Sequence, residues 1–496
     1  MALAPQARWL VVTLVTMGAV AGIAACGGGS GDVAIPDSSP APAATSPASS
    51  TPGPKTDTGP TFHKDVQPIL EEHCQKCHTS GGLAPFPLLT YADAKIRSAA
   101  MVAETAAKRM PPWGAQDTAE CKPRLPWAHD ERLSAAQIKL LADWTAAGTP
   151  EGDSKDAPAP KAAPSLDLQG VTDTLVPKTA FAASGDHDQF RCFVLDNPYP
   201  NGVFLTGVHV VPGNPKVVHH AVVFPAPTGA VAAKAGPDGS FECSGAAMAL
   251  DGNGQSNGQQ SITLDVWTPG VMPVELPSNI AIPIVAGSKL IMQIHYSPGG
   301  MQADPDLTKV LLRSSAKTPE YFLFTTAVGN APAQLPSGDG LLPMPDDPTS
   351  TPVFVIPKNE HAHVEKMQFT MPAKDPAAAA QTIWIYGVMG HAHLAGIDVK
   401  VDLARGTDSQ CLLQDQWDFH WQRMYTYDAA VEKLPTLEPG DKISLRCTYD
   451  NSLTNRRLGP ELVRRGLTPT DIHLGEQTLD EMCLVIPQLL VKAPTQ

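Results

Sequence analysis

From about residue 172 onward, short runs of alternating or wholly apolar residues are separated by Gly, Pro and Asn. Such runs between turn-forming residues predict β-strands. The clearest are GVFLTGVHVV (202–211), VVHHAVVF (217–224), ITLDVWTP (262–269), KLIMQIHYS (289–297), PVFVIP (352–357), TIWIYGVMG (382–390), GIDVKVDL (396–403) and DKISLRCTYD (441–450). Because no convincing long helix interrupts them, we predict two all-β domains of the β-sandwich or jelly-roll type, at 172–313 and 314–492.

Residues 59–153 carry a helical pattern instead. FHKDVQPILEEH (62–73) predicts one helix, and LSAAQIKLLADWTAAGTP (133–150) predicts another. The second begins with a capping box formed by Ser134 and Gln137 and ends near Gly148. We therefore expect a small all-α domain at 59–153, joined to the β domains by an Ala/Pro/Lys/Asp-rich linker at 154–171.

The first 58 residues predict export rather than a folded domain. Residues 1–26 have a basic start, an apolar stretch and small residues before Cys26, as in secretory signal peptides. The end of this stretch resembles a bacterial lipobox, which implies lipidation of Cys26; an uncleaved membrane anchor is the alternative. Gly27 favours the outer membrane, facing the periplasm or the cell surface, with the lipid as the membrane attachment. Residues 27–58 are Gly/Ser/Pro/Ala/Thr-rich and predict a disordered tether.

Composition narrows the partners and the redox compartment. The formal net charge is −14, which argues against nucleic acid or an anionic surface as a partner. Export places the cysteines in an oxidising compartment. Six of them lie outside the first 80 residues and allow up to three disulfides: Cys121, Cys192, Cys243, Cys411, Cys447 and Cys483.

Within the α domain, Cys74-Gln75-Lys76-Cys77-His78 has the spacing of a c-type haem attachment site. The two thiols would form thioethers to the porphyrin, and His78 would ligate the iron. A Zn or redox CxxC is the alternative. Met110, in the irregular RMPPWG segment, is our candidate for the second axial ligand, and Met101, in helix-like sequence, competes with it. Residues 59–153 resemble small class I cytochrome c domains, whose function is electron delivery.

Three groups of histidines fall inside the predicted strands. His219 and His220 are adjacent, so both can reach one metal only at a bulge or a strand end. His295 lies among apolar residues of its strand. His391 and His393 share one face of a strand with Ile383, Ile385 and Met389. An imidazole on such an inward face needs a partner, and a metal ion would supply one.

A second His-Ala-His, His361 and His363, follows Lys358 and Glu360 and precedes Glu365 and Lys366. These charges predict an exposed strand start, where histidines need no ligand. We therefore expect His361 and His363 to have no role in metal binding.

The order of these residues resembles the copper type II monooxygenases, which include dopamine β-monooxygenase and peptidylglycine α-hydroxylating monooxygenase. The resemblance covers about residues 172–492. It is carried by an ordered set of short motifs, each weak alone: Cys192, His219-His220, Cys243, His295-Tyr296, His391-Ala392-His393 and Met482-Cys483.

The resemblance implies two copper ions. His219, His220 and His295 would hold an electron-transferring copper. His391, His393 and Met482 would form the catalytic centre that binds oxygen, with a thioether that favours Cu(I). It also implies disulfides Cys192–Cys243 and Cys447–Cys483, whereas Cys121 and Cys411 have no assigned partner.

The expected activity is hydroxylation of a C–H bond by O2. A fused haem c, held near by the 154–171 linker, would reduce the copper of His219, His220 and His295. An external donor would supply the electrons: ascorbate, a quinol-linked carrier or a periplasmic cytochrome.

Two positions restrict the substrate. Peptide-amidating relatives carry an arginine two residues before the His-x-His, where this chain has Met389, and a tyrosine four residues after the methionine, where it has Ile486. An apolar or weakly polar small molecule is therefore expected. Two alternatives remain: a copper-binding or electron-transfer lipoprotein without hydroxylase activity, and a haem protein whose histidines are structural.

Overall fold

A computed structural model describes residues 59–80, 84–159, 167–185, 187–226, 232–243, 263–298, 300, 304–345, 347, 351–373, 381–475 and 477–494 of the chain. The predicted signal peptide with Cys26, the predicted tether and part of the predicted 154–171 linker lie outside these residues. Within the described part, no helix has the length and apolar character needed to cross a membrane.

The N-terminal region is helical. A π-helical turn, Phe62–Val66, continues into α1 (Gln67–His73), and α2 (Tyr91–Ala106) and α3 (Ala135–Ala146) follow. The predicted capping box is present at α3, where Ser134 and Gln137 bond each other's backbone N–H. A short 3-10 turn, Ser154–Asp156, ends the region. Its apolar core is formed by Phe62, Val66, Ile69, Leu70, Leu88, Ala94, Met101, Leu141 and Trp144.

The middle of the chain forms two facing antiparallel sheets, ordered β5-β2-β9-β4-β6 and β1-β10-β3-β8, with β7 paired to β3. Their inward side chains share one apolar core. The strands are β1 (Asp173–Leu175), β2 (Gln189–Leu195), β3 (Val203–Val211), β4 (Val218–Ala226), β5 (Ser240–Glu242), β6 (Asp265–Trp267), β7 (Val274–Glu275), β8 (Ile280–Ile284), β9 (Lys289–Tyr296) and β10 (Lys309–Ser315). A 3-10 turn, Ala232–Lys234, precedes β5.

The C-terminal part adds a sheet ordered β13-β15-β21-β17-β18 and a two-stranded sheet of β14 and β22. Its remaining strands form the series β11-β23-β16-β19, in which β12 pairs with β23 and β20 pairs with β16. These strands are β11 (Tyr321–Thr325), β12 (Val328–Gly329), β13 (Gly340–Leu341), β14 (Val355–Ile356), β15 (His363–Thr370), β16 (Ile383–His391), β17 (Gly396–Arg405), β18 (Asp408–Asp415), β19 (Tyr425–Thr426), β20 (Thr436–Leu437), β21 (Lys442–Tyr449), β22 (Ile472–His473) and β23 (Leu484–Lys492). One short helix, α4 (Leu458–Arg464), and a 3-10 turn, Val431–Lys433, interrupt them. The predicted mainly β architecture is confirmed.

The two β regions share one continuous sheet. β8 of the first region pairs in parallel with β11 of the second, through Tyr321 opposite Ile280 and Phe322 opposite Ala281. β11 pairs in turn with β23, so eleven strands of the described part of the chain belong to one sheet that crosses both regions. Backbone hydrogen bonds therefore join the regions directly.

Residues 111–132, which we call the docking segment, leave the helical core and lie on the C-terminal β region. Ala115 forms a β-bridge with Asp415, and Trp127 forms one with Tyr427. Cys121 is disulfide-bonded to Cys411 of β18. In addition to the predicted 154–171 linker, a covalent bond and backbone pairing therefore hold the helical region against the C-terminal β region.

Candidate metal centres

Three histidines of the first β region converge through a bulge in β4. The register of β4 against β9 shifts between Val218 and His220, and His220 lies opposite His295. The bulge lets the consecutive residues His219 and His220 point to the same place, which a regular strand forbids. The Nδ1 atom of His220 lies 3.2 Å from Nδ1 of His219 and 3.3 Å from Nδ1 of His295. We call this set the three-histidine centre.

This geometry suits a metal ion. Two nitrogens bound at about 2.0 Å to one tetrahedral ion lie roughly 3.3 Å apart, which matches the observed spacing. Burial lowers the pKa of His219 and His220 well below the ordinary range, and neighbouring histidines lower both further. The rings therefore stay neutral and keep lone pairs for a cation.

The outer nitrogens of the same rings contact other groups. Nε2 of His219 lies 3.2 Å from Nδ1 of His420, and Nε2 of His295 lies 3.5 Å from the Asp188 carboxylate. Burial raises the pKa of Asp188, but the contacts with His295 and Thr478 outweigh it and keep the carboxyl ionised. These contacts orient the Nδ1 atoms towards the centre, as second-shell partners of metal-bound histidines do.

His391 and His393 form a second centre at the end of β16. Nδ1–H of His391 donates to Oε1 of Gln422 at 2.9 Å, and Nδ1–H of His393 donates to the Asp480 carbonyl at 3.1 Å. Both rings are therefore held with Nε2 as the nitrogen that can accept a metal. Burial lowers the pKa of His391 to about 4 and that of His393 to about 3, so both are neutral near pH 7.

Glu481 holds the backbone of Met482 close to that of His393. Its buried carboxyl group accepts backbone N–H bonds from His393 at 2.7 Å and from Met482 at 3.1 Å on the same oxygen. Burial raises the pKa of Glu481 to about 8, and the amide donors oppose the rise. The disulfide Cys447–Cys483 and a bond from the Tyr449 hydroxyl to the Met482 carbonyl, 2.8 Å, hold the same loop. We call His391, His393 and Met482 the His-Met centre.

The other disulfide implied by the family resemblance braces the three-histidine centre. Cys192 of β2 is bonded to Cys243, immediately after β5. Because β2 pairs with β9 along its whole length, this bond stabilises the strand that carries His295.

One aromatic side chain, Phe419, contacts a histidine of each centre. Phe419 stacks on His219 with ring centroids 4.8 Å apart, and its centroid lies 6.0 Å from that of His393. Phe419 belongs to residues 416–424 between β18 and β19, which we call the junction loop. The same loop supplies Gln422 to His391 and His420 to His219.

The other His-Ala-His pair lies elsewhere in the fold. His361 is exposed, with its side chain 64% accessible, and contacts Asp450. His363 is buried, and its Nε2 lies 3.1 Å from Glu365. The expectation that both histidines are exposed is thus wrong for His363, because β15 turns it inward together with the carboxylate that partners it.

The CxxCH motif follows α1. Cys74 and Cys77 form no disulfide, and burial raises the pKa of Cys74 to about 12. Nδ1–H of His78 donates to the Phe86 carbonyl at 3.0 Å, which leaves Nε2 for an iron ion. Met110 is half-buried at the end of the loop after α2, whereas Met101 is part of the helical core.

Sequence reasoning missed several groups around the centres. Phe419, His420 and Gln422 lie in the stretch WDFHWQR, whose aromatic density was the available signal. Glu481 directly precedes Met482 and is fully buried. Asp188 had no distinguishing pattern.

Comparison with known proteins gives one family. The model of the copper type II ascorbate-dependent monooxygenase, C-terminal domain, matches residues 348–486. This range includes His391, His393 and Met482 but begins after the residues of the three-histidine centre. No curated protein matches the chain in sequence.

Solved structures matched by shape have low scores. The major capsid protein P2 of bacteriophage PM2 is 9% identical over 65% of this chain and 98% of its own, with a TM-score of 0.24. A Paenibacillus xanthan lyase is 11% identical over 68% of this chain and 28% of its own, with a TM-score of 0.17. At these scores the likenesses carry no argument. The sequence match does: residues 348–486 are similar to the C-terminal domain of copper type II ascorbate-dependent monooxygenases, which supports a copper-dependent monooxygenase-type function.

Proposed function

We propose that this protein is a copper-dependent monooxygenase that hydroxylates a C–H bond of a small organic molecule. The reaction is R–H + O2 + two electrons + two protons → R–OH + H2O. One copper would be held by His219, His220 and His295, and the other by His391, His393 and Met482. The proposal rests on one observation: three imidazoles converge at the β4 bulge, two more lie at the end of β16, and Phe419 contacts both sets.

The copper ions, when bound, supply one-electron chemistry towards O2. The chain's own groups position them. Gln422 and the Asp480 carbonyl hold the two imidazoles of the His-Met centre in one tautomer. Trp417 donates its indole N–H to the His393 carbonyl at 2.9 Å and places its ring against His391. Together these contacts fix the orientation of both rings.

Two cross-strand neighbours support an apolar substrate. Met389 of β16 lies directly opposite Ile486 of β23. These are the two positions at which peptide-amidating relatives resembled by this chain carry an arginine and a tyrosine. Both polar groups are therefore replaced at one place in the sheet, next to the His-Met centre. A carboxylate-bearing peptide has no partner there, and an apolar or weakly polar molecule fits better.

Metal content and oxygen uptake test the proposal. Copper-loaded protein is expected to hold two copper ions per chain and, with ascorbate and a panel of small apolar molecules, to consume O2 and form alcohol. His391→Ala should abolish product formation and lower the copper content to one. His361→Ala, the same change in the other His-Ala-His, is the matched control and should behave as the parent. Two bound coppers without any product would instead favour a copper-binding or electron-transfer protein.

We also propose that Cys74, Cys77 and His78 bind haem c, with Met110 as the second axial ligand, and that the haem receives electrons from an external donor. The Phe86 carbonyl fixes His78 in the tautomer that iron binding needs. A pyridine haemochrome spectrum of denatured protein tests this: covalent haem should stay with the chain and be lost in the Cys74→Ser/Cys77→Ser double variant. A change of the spectrum in Met110→Ala but not in Met101→Leu would identify the axial methionine.

For localisation we propose an exported lipoprotein, lipidated on Cys26 and attached to the outer membrane. The support is the sequence of residues 1–26 alone. Labelling with a radioactive fatty acid followed by membrane fractionation tests it. The label should appear in the parent and be absent in Cys26→Ala.

A further inference from the structure

The junction loop contacts all three candidate redox sites. His420 lies against His219 of the three-histidine centre, and Gln422 bonds His391 of the His-Met centre. The next residue, Arg423, faces the CxxCH motif. These three contacts occur within four consecutive residues of one loop.

Arg423 reaches the CxxCH motif through a short ion-pair chain. Its guanidinium donates to Glu131 at 2.8 Å, and Glu131 also pairs with Lys76, which lies between Cys74 and Cys77. The side chains of these ion pairs are largely shielded from solvent, since that of Arg423 is 12% accessible and that of Lys76 is 6% accessible. A shielded pair holds its geometry better than a surface one.

The docking segment also contacts Arg423 and the residues that follow it, and so stabilises the position of the helical region. The Arg423 guanidinium lies 5.2 Å from the centre of the Trp113 ring, and the next contact is the Tyr425 hydroxyl, 2.9 Å from the Gly114 amide. The Cys121–Cys411 disulfide closes the contact covalently across 290 residues of sequence. The CxxCH motif is thereby attached to the end of the junction loop nearest Gln422.

We propose that the junction loop is the electron path from the haem to both coppers, and that the docking segment holds the haem module onto it. This rests on the proposed function. Cys74, Cys77 and His78 would hold the haem, whose iron would be oxidised by one electron in each transfer, and one of the two histidine centres would hold the copper that is reduced by that electron, with no bond made or broken. Two transfers, each followed by re-reduction of the haem by a donor of the ascorbate, quinol or cytochrome class, supply the two electrons of hydroxylation.

This path revises the sequence-based expectation of where electrons enter. That expectation had the haem reducing the three-histidine copper from the end of a flexible linker. The contacts of Arg423 and Gln422 with the CxxCH side and with His391 give the His-Met centre an equally direct connection. Electrons then reach either copper through neighbouring residues of one loop.

Docking is tested without cofactors. A specific protease site is inserted between residues 160 and 166 of the full chain, and the cleaved protein is run on a denaturing gel. The two fragments should migrate together without reductant and separate with it. They should separate under both conditions in the Cys121→Ser/Cys411→Ser double variant. Separation of the parent fragments without reductant would overturn the docking, whatever the protein binds.

Electron flow is tested in protein loaded with haem and Cu(II) under anaerobic conditions. The haem is reduced by a light-driven donor, and its reoxidation is followed by absorbance while copper reduction is followed by EPR. In the double variant reoxidation should slow about tenfold, because the docking segment loses its covalent attachment and spends less time in the docked position. Arg423→Gln should also slow it, and Arg423→Lys should restore part of the rate.

Controls separate position from folding. Arg124→Gln removes an exposed ion pair with Asp408 in the same docking segment and should leave the rate unchanged. All variants should keep the parent's haem spectrum and Cu(II) EPR signal at rest. Equal reoxidation rates in parent, Arg423→Gln and the double variant would refute the path while leaving the proposed function intact. Protein that binds no haem or no copper would refute both the electron path and the proposed function.

Discussion

Replacing Gln422 by leucine should weaken copper binding at one centre only. Gln422 is 3% exposed, and its two amide atoms have separate partners: Oε1 accepts from His391 at 2.9 Å, and Nε2 donates to the Phe419 carbonyl at 3.2 Å. Gln422→Leu keeps the volume and removes both bonds. His391 then loses the acceptor that fixes its tautomer and the direction of Nε2.

The expected losses of copper affinity and of folding free energy follow from the two hydrogen bonds that Gln422→Leu removes. Loss of an outer partner of a metal-bound histidine costs about 10–100-fold in metal affinity, which is about 1.4–2.8 kcal/mol at tenfold per 1.4 kcal/mol. The Phe419 carbonyl also loses its donor, and one buried unpaired group costs about 1–3 kcal/mol of folding free energy. The two losses are measured separately, because the first concerns metal binding by the folded protein and the second concerns unfolding.

Competition with a Cu(I) chelator of known affinity measures the first loss. The titration of Gln422→Leu should show one copper weakened by the factor above and one copper bound as in the parent. Gln422→Glu keeps an acceptor for His391 and should stay close to the parent. Parent-like copper affinity at both centres in Gln422→Leu would refute the orienting role of Gln422. Weaker copper binding at the three-histidine centre would instead show that Gln422 does not act on the His-Met centre. Urea unfolding of the copper-free protein measures the second loss.

Three further predictions concern stability and metal removal. Burial raises the pKa of Asp265 to about 7, whereas an Asp in the unfolded chain ionises near pH 4, so the stability of the folded protein falls as pH rises from about 4 to 7. Asp265→Asn should recover up to about 4 kcal/mol of unfolding free energy above pH 7 and almost none at pH 3.5. Urea unfolding at both pH values measures this difference. Glu481→Ala leaves four backbone N–H groups without their acceptor and should lower the unfolding free energy by about 3 kcal/mol or more, with a parent-like value showing that water replaces the carboxyl group. Chelation of copper should lower the melting temperature of the parent, because bound metal stabilises only the folded chain, and should change that of His391→Ala by less.

Local sequence rules predicted the elements that depend on neighbouring residues. The alternating apolar runs became β3, β4, β9, β16, β17 and β21, and the capping box at Ser134 starts α3. The requirement for a bulge at His219-His220 follows from the period of two residues in a strand, and the bulge is present. These features need no knowledge of the rest of the chain.

Features that depend on distant pairs were not accessible in the same way. Cys121 and Cys411 are separated by 290 residues, and no spacing rule connects cysteines at that distance. Gln422 and Asp188 are common polar residues whose importance comes only from the histidines that the fold brings to them. His363 was expected at the surface because charged residues flank it, yet the alternation of β15 places it inward beside Glu365.

The parallel pairing of β8 with β11 limits how the protein can be divided. Residues 172–315 made alone would leave the β8 edge that accepts β11 bare, with its amide and carbonyl groups open to any passing strand. Residues 316–494 made alone would expose the matching edge of β11. Each half is therefore expected to self-associate, and co-expression of both halves should restore solubility by restoring that pairing.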